Sequence, residues 1–89
     1  MQKVVSDFFR VPISDLKAKR RNKNIVFPRQ IAMYLSRQLT NMSLPEIGGA
    51  FGGKDHTTVL HSCKKIEKNS LDDMEVKKII DQLITTLKQ

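Results

Sequence analysis

Ser43-Leu44-Pro45-Glu46-Ile47-Gly48-Gly49-Ala50-Phe51-Gly52-Gly53-Lys54-Asp55-His56-Thr57-Thr58-Val59-Leu60 contains two helix starts separated by glycines, and this arrangement decides the fold. Ser43 and Glu46 have the spacing of a capping box, and Pro45 falls in the first helical turn, where a missing N–H costs least. A short helix is therefore expected from Ser43, with Leu44, Ile47, Ala50 and Phe51 inward. Gly52 and Gly53 permit the positive φ of a tight turn, and Asp55 can accept from free N–H groups of a second helix. Along that helix Val59, Cys63 and Ile66 recur on one face, while Thr57, His61, Lys64 and Lys68 fall on the other. Residues 43–69 thus read as a helix-turn-helix. In DNA-binding versions the start of the second helix meets base edges in the major groove, which is the position of Asp55, His56, Thr57 and Thr58.

Upstream, Lys17-Ala18-Lys19-Arg20-Arg21-Asn22-Lys23 predicts an exposed basic loop over about 17–27, with Pro28 opening the next helix. Residues 1–41 carry nine Lys/Arg against two acids, whereas residues 42–89 carry seven of each, so the whole net charge of +7 lies in the first half. Such a loop suits a polyanion once a helix-turn-helix lies beside it. From Pro28 to Asn41 the stripe Ile31, Tyr34, Leu35 and Leu39 predicts a scaffold helix, with Arg29, Arg37 and Thr40 toward solvent. Val4, Val5, Phe8 and Phe9 predict a first helix within Met1–Arg10, and Ser14 is a candidate cap for a brief turn through Ala18. Asn69-Ser70 interrupts the pattern, which resumes through Val76, Ile80, Leu83 and Leu87 as a C-terminal helix over about 71–88. No strand-like alternation, repeat or low-complexity tract occurs, so the expected fold is all-α. Eighty-nine residues make one domain, too short for an enzyme cleft with its supporting shell. One cysteine and no long apolar run predict a reduced, soluble, cytoplasmic protein without a signal peptide or membrane span.

Several other chemistries have partial signals. Gly48 to Lys54 fits G-x-x-x-x-G-K, but Asp55 stands where a P-loop needs Ser or Thr for Mg²⁺, and no buried strand precedes it. His56, His61 and Cys63 do not form a metal set, because the two histidines are about 140° apart around one helix and His56 lies roughly 10 Å from Cys63. Cys63 reads as a small core residue. Phe8, Phe9, Phe27, Tyr34 and Phe51 read as core rather than as a platform for single-stranded bases. Asp55 has two readings, a helix cap and an acceptor for the exocyclic amine of cytosine.

At these residues the chain resembles the C-terminal DNA-binding domain of the DnaA family of bacterial replication initiators. The resemblance runs from Val4-Val5-Ser6-Asp7-Phe8-Phe9 through Leu16-Lys17-Ala18-Lys19-Arg20-Arg21, Pro28-Arg29-Gln30-Ile31-Ala32-Met33 and Leu39-Thr40-Asn41 to Ser43-Leu44-Pro45-Glu46-Ile47-Gly48. Its signature is Gly52-Gly53-Lys54-Asp55-His56-Thr57-Thr58-Val59-Leu60-His61. The family implies a duplex target, the DnaA box of replication origins, with TTATNCACA as consensus. Carried onto matching positions, it implies base contacts from Asp55, His56, Thr57 and Thr58 in the major groove and from Arg21 in the minor groove. Lys19, Arg29, Gln30, Arg37, Thr40, Asn41, Leu44 and Lys54 match phosphate-facing positions. Arg37 and Lys54 exchange Lys and Arg relative to common members, so residue 54 offers a point charge instead of a fork. The resemblance implies no catalysis and no cofactor in this domain, since ATP and Mg²⁺ belong to the parent's separate AAA+ ATPase domain. Origin DNA and regulatory proteins are the implied partners of a domain expected to be monomeric.

Overall fold

The apolar stripes of four other helices converge on a central helix, α3, which is buried on most of its faces. The computed structural model describes residues 1–89 as α1 (Gln2–Phe9), α2 (Ile13–Lys17), α3 (Lys23–Leu39), α4 (Leu44–Ala50), α5 (His56–Asp72) and α6 (Met74–Leu87), with no strand. Ile25, Ile31, Ala32, Met33 and Leu35 of α3 are buried, and α5 packs on them with Val59, Cys63 and Ile66. Val5 of α1 and Leu16 of α2 fill one end, and α6 closes against α5 and α1 through Val76, Ile80 and Leu83. Each fully buried aliphatic side chain of this kind contributes about 1.5–3 kcal/mol relative to exposure. No helix is long and apolar enough to cross a membrane.

Four boundaries differ from the sequence reading. α3 begins at Lys23, so Pro28 lies inside it and the loop is confined to residues 18–22. Pro28 removes one intrahelical bond and disfavours a helical Phe27. Packing overrides this, because Ile25 is buried and the Phe27 ring meets Phe9 edge-on with centroids 5.8 Å apart. Downstream, α5 continues through Asn69-Ser70 to Asp72, and the break falls at Asp73, whose carboxylate accepts from the Glu75 N–H at 2.9 Å. Leu71 therefore belongs to the last turn of α5, where it is exposed. Ser14 lies within α2, and Pro12 occupies the cap position. Of the expected α3 stripe, Leu39 is exposed at the helix end, while Arg29 turns into the interior. Among the aromatics, Phe51 is buried but Phe8 is substantially exposed.

The inter-helix turn is built as the capping chemistry requires. The Glu46 N–H donates to Ser43 Oγ at 3.2 Å, and the Ser43 N–H donates to Glu46 Oε1 at 3.1 Å. Those Ser43 bonds hold the Glu46 carboxyl below its ordinary range. The Gly48 carbonyl then accepts from the N–H groups of Phe51, Gly53 and Lys54, the last at 2.8 Å, folding the chain back on α4. A Cβ on Gly48 would stand 2.0 Å from the Lys54 carbonyl oxygen, so only glycine allows that return.

Candidate nucleic-acid interface

Two segments project from this scaffold, the start of α5 and the arm between α2 and α3. At the first, Asp55 Oδ1 accepts from the Thr57 N–H at 3.0 Å and lies 3.1 Å from His56 Nδ1. The cap thus occupies one carboxylate oxygen and leaves Oδ2 open. Asp55, His56, Thr57 and Thr58 are all exposed, whereas Val59 immediately behind them is fully buried. The core anchors the helix while its first turn stays clear of the rest of the chain.

The arm is organised from within. α2 has only five residues, so its last carbonyls lack helical partners. The Arg29 guanidinium serves this helix end and the arm beyond it: Nε donates to the Leu16 carbonyl at 2.9 Å, Nη2 to the Asp15 carbonyl, which also accepts from the Ala18 N–H, at 3.1 Å and to the Ala18 carbonyl at 2.8 Å, and Nη1 to the Arg20 carbonyl at 3.0 Å. Four of the five guanidinium N–H donors are consumed, and the side chain is buried. Arg29 is therefore not the solvent-facing residue that its place in the sequence suggested. Burial pulls its pKa below the usual value, and the carbonyl cage compensates the lost hydration.

The arm and the turn are joined at the Lys17 carbonyl. Lys54 Nζ donates to it at 2.9 Å and to the Phe51 carbonyl at 2.9 Å. Gly52, at φ 83°, presses its α-carbon to the same place, and a Cβ there would stand 2.1 Å from the Lys17 oxygen. Partial burial, then the nearby Arg29 and Lys19 charges, lower the Lys54 pKa. Across the resulting hollow, Lys19, Arg20 and Arg21 of the arm face Gly53, Asp55 and Thr58 of the turn and tip.

The other expected site residues lie apart from this hollow. Exposed Arg37, Thr40 and Asn41 end α3, and half-buried Leu44 begins α4. The Thr40 hydroxyl bonds to the Ser36 carbonyl and accepts from the Met42 N–H, which shapes the α3–α4 corner. Gln30 is half-buried and borders a second hollow, which shares only Arg21 with the first, together with Lys23, Lys65 and Asn69. Sequence reading placed Lys23 in the basic loop but gave no site role to Lys65 or Asn69. Lys65 and Asn69 stand at i, i+4 on α5, a spacing visible in the sequence, but their proximity to the arm depends on how α5 packs on α3.

The rival chemistries find little support in the geometry. The Gly53 and Lys54 N–H groups, which a phosphate cradle would need, are turned onto the Gly48 carbonyl. No three His, Cys, Asp or Glu side chains converge on a point. Cys63 is buried, and that burial raises its thiol pKa.

The sequence profile described as "Bacterial dnaA protein helix-turn-helix" matches residues 1–66. The chain is 49% identical over 89 residues to the chromosomal replication initiator protein DnaA of Treponema denticola, covering 100% of this chain and 19% of that one. It is 54% identical over 83 residues to the protein of the same name from Lactobacillus delbrueckii subsp. bulgaricus, covering 93% of this chain and 18% of the relative. It therefore spans about a fifth of the length of the curated relatives it matches.

Proposed function

Because this chain belongs to the bacterial DnaA helix-turn-helix family, we propose that it binds double-stranded DNA sequence-specifically, at the DnaA boxes of a replication origin. It is a binding domain and not an enzyme. The observation that carries the proposal is that an exposed polar helix tip and a cationic arm face one another across a single hollow. A duplex presents a major groove beside a minor groove, so a body with two such projections can enter both.

Asp55, His56, Thr57 and Thr58 read base edges in the major groove, with Asp55 Oδ2 accepting from a cytosine amine. Arg21 enters the minor groove. Lys19, Gln30, Arg37, Thr40, Asn41, Leu44 and Lys54 face phosphates and fix the register without reading sequence. Arg29 joins them as the organiser of the arm, since its donors are already engaged with backbone carbonyls. The domain needs no cofactor for this task. In the parent it tethers the ATPase domain, with its ATP and Mg²⁺, to origin boxes in the cytoplasm, where regulatory proteins also reach it.

Neutralising about six phosphates gives a slope of log affinity against log salt near −5, at about −0.9 per contact. Fluorescence anisotropy with a box duplex and a scrambled duplex tests the proposal, and equal affinity for the two refutes it. Asp55→Asn, titrated beside a melting curve, separates cap from reader. Loss of base readout costs roughly 1–3 kcal/mol on the box and spares the scrambled duplex. If both affinities merely follow stability, Asp55 is a cap alone.

A further inference from the structure

Arg21 lines two hollows rather than one. The first lies toward the helix tip. The second shares no other residue with it and is lined by Lys23, Gln30, Lys65 and Asn69 together with Val26 and Phe27. Its rim carries three cations and two side-chain amides, and no carboxylate. Lys23 and Lys65 are exposed, and neither has an acidic partner, since the ion pairs lie elsewhere, at Arg20–Asp15, Asp55–His56 and Lys78–Glu75. Lys65 and Asn69, one turn apart on α5, present a charge and an amide along one line. The core needs neither of them, because the buried side of α5 is Val59, Ser62, Cys63 and Ile66.

A minor groove about 6 Å wide is bordered by two phosphate strands. A side chain that enters it from a crest must therefore have one strand on each flank. We propose that the second hollow seats the strand on the far side of the minor groove, with Lys65 and Asn69 as its phosphate-contacting residues. The second hollow holds three cations and no acid, while Asp55 offsets one of the five cations of the first, so both flanking sites are strongly positive. The inference rests on the minor-groove reading of Arg21, and it extends the interface along α5 well beyond the base-reading tip.

The test uses the full chain and the box and scrambled duplexes. Lys65→Gln should leave the melting temperature unchanged and reduce the salt slope by about 0.9 on both duplexes. Carried from 1 M, that slope is a loss of about eight-fold in affinity at 0.1 M salt. Lys77→Gln removes the same charge from the exposed face of α6 and should leave the slope as it was. A box duplex scanned with single uncharged methylphosphonate linkages should then contain one position at the A·T-rich end where the native chain loses about the same factor and Lys65→Gln loses nothing more. An unchanged slope in Lys65→Gln, an equal effect of Lys77→Gln, or no linkage coupled to Lys65 overturns the inference. Failure of the native chain to prefer the box overturns instead the reading on which it rests.

Discussion

Arg29→Lys distinguishes an arm held from inside from an arm that is merely charged. The substitution keeps the positive charge but replaces a planar fork by one ammonium, which cannot span the carbonyls of Asp15, Leu16, Ala18 and Arg20. Hydrogen bonds from a charged donor contribute about 1.5–3 kcal/mol each. Only the bond to Leu16 is buried, and water can replace part of the other three, so the net loss is about 2–4 kcal/mol rather than their sum. A domain of this length has a total stability of roughly 5–13 kcal/mol. The melting temperature should therefore fall by at least about 8 °C, at about 4–8 °C per kcal/mol for a domain of this size. Thermal unfolding followed by circular dichroism measures that shift. Anisotropy below the new midpoint should then show weakened discrimination at the A·T-rich end of the box, because Arg21 is no longer held in place. If Arg29→Lys melts with the native chain and only the salt slope changes, Arg29 is a phosphate ligand and the caged role is wrong.

Gly52→Ala and Gly53→Ala form a matched pair. Both positions have φ near +80°, which costs an alanine about 1–2 kcal/mol, but only a Cβ at Gly52 also meets the Lys17 carbonyl; urea denaturation should show a clearly larger loss at Gly52, and equal losses would mean the turn does not press on α2. At Glu46 the folded pKa is lowered, so its cap stabilises the fold above the ordinary carboxylate value and loses that effect as pH falls through the lower folded value. Glu46→Gln should remove this part of the acid-induced loss in a pH series of melting temperatures, and an unaltered acid profile would show that Glu46 does not contribute to it.

The turn was legible in the sequence because its determinants are local. Ser43, Glu46, Gly52, Gly53 and Asp55 act on backbone groups within a few residues, and each is found in its expected role. The start of α3 was not, since Pro28 is the strongest local signal while burial of Ile25 and the contact of Phe27 with Phe9 are products of the tertiary fold. Arg29 was misread for a related reason. A charge beside a basic loop suggests solvent, and nothing in the spacing reveals that five-residue α2 leaves carbonyls for a guanidinium to satisfy. The Asp73 break could have been recognised from Asp73 and Glu75, an acidic cap and first turn, but Asn69-Ser70 gave a competing polar interruption.

The Lys17 carbonyl links what remains. On one side it receives Lys54, which immediately precedes the Asp55 cap, and on the other it lies four residues from Arg21. Tip and arm are thus fixed relative to each other before any ligand arrives, which spares the cost of about 0.5–1.5 kcal/mol for each side chain that would otherwise be ordered on binding. Fixing them also brings Lys19, Arg29 and Lys54 together, and their mutual repulsion contributes to the lowered Lys54 pKa. A phosphate strand in the hollow would relieve that repulsion, and so would dissolved salt in its absence. Added salt therefore acts in opposite directions on two properties of the same cluster: it eases the strain of the free domain while weakening the proposed hold on a phosphate strand.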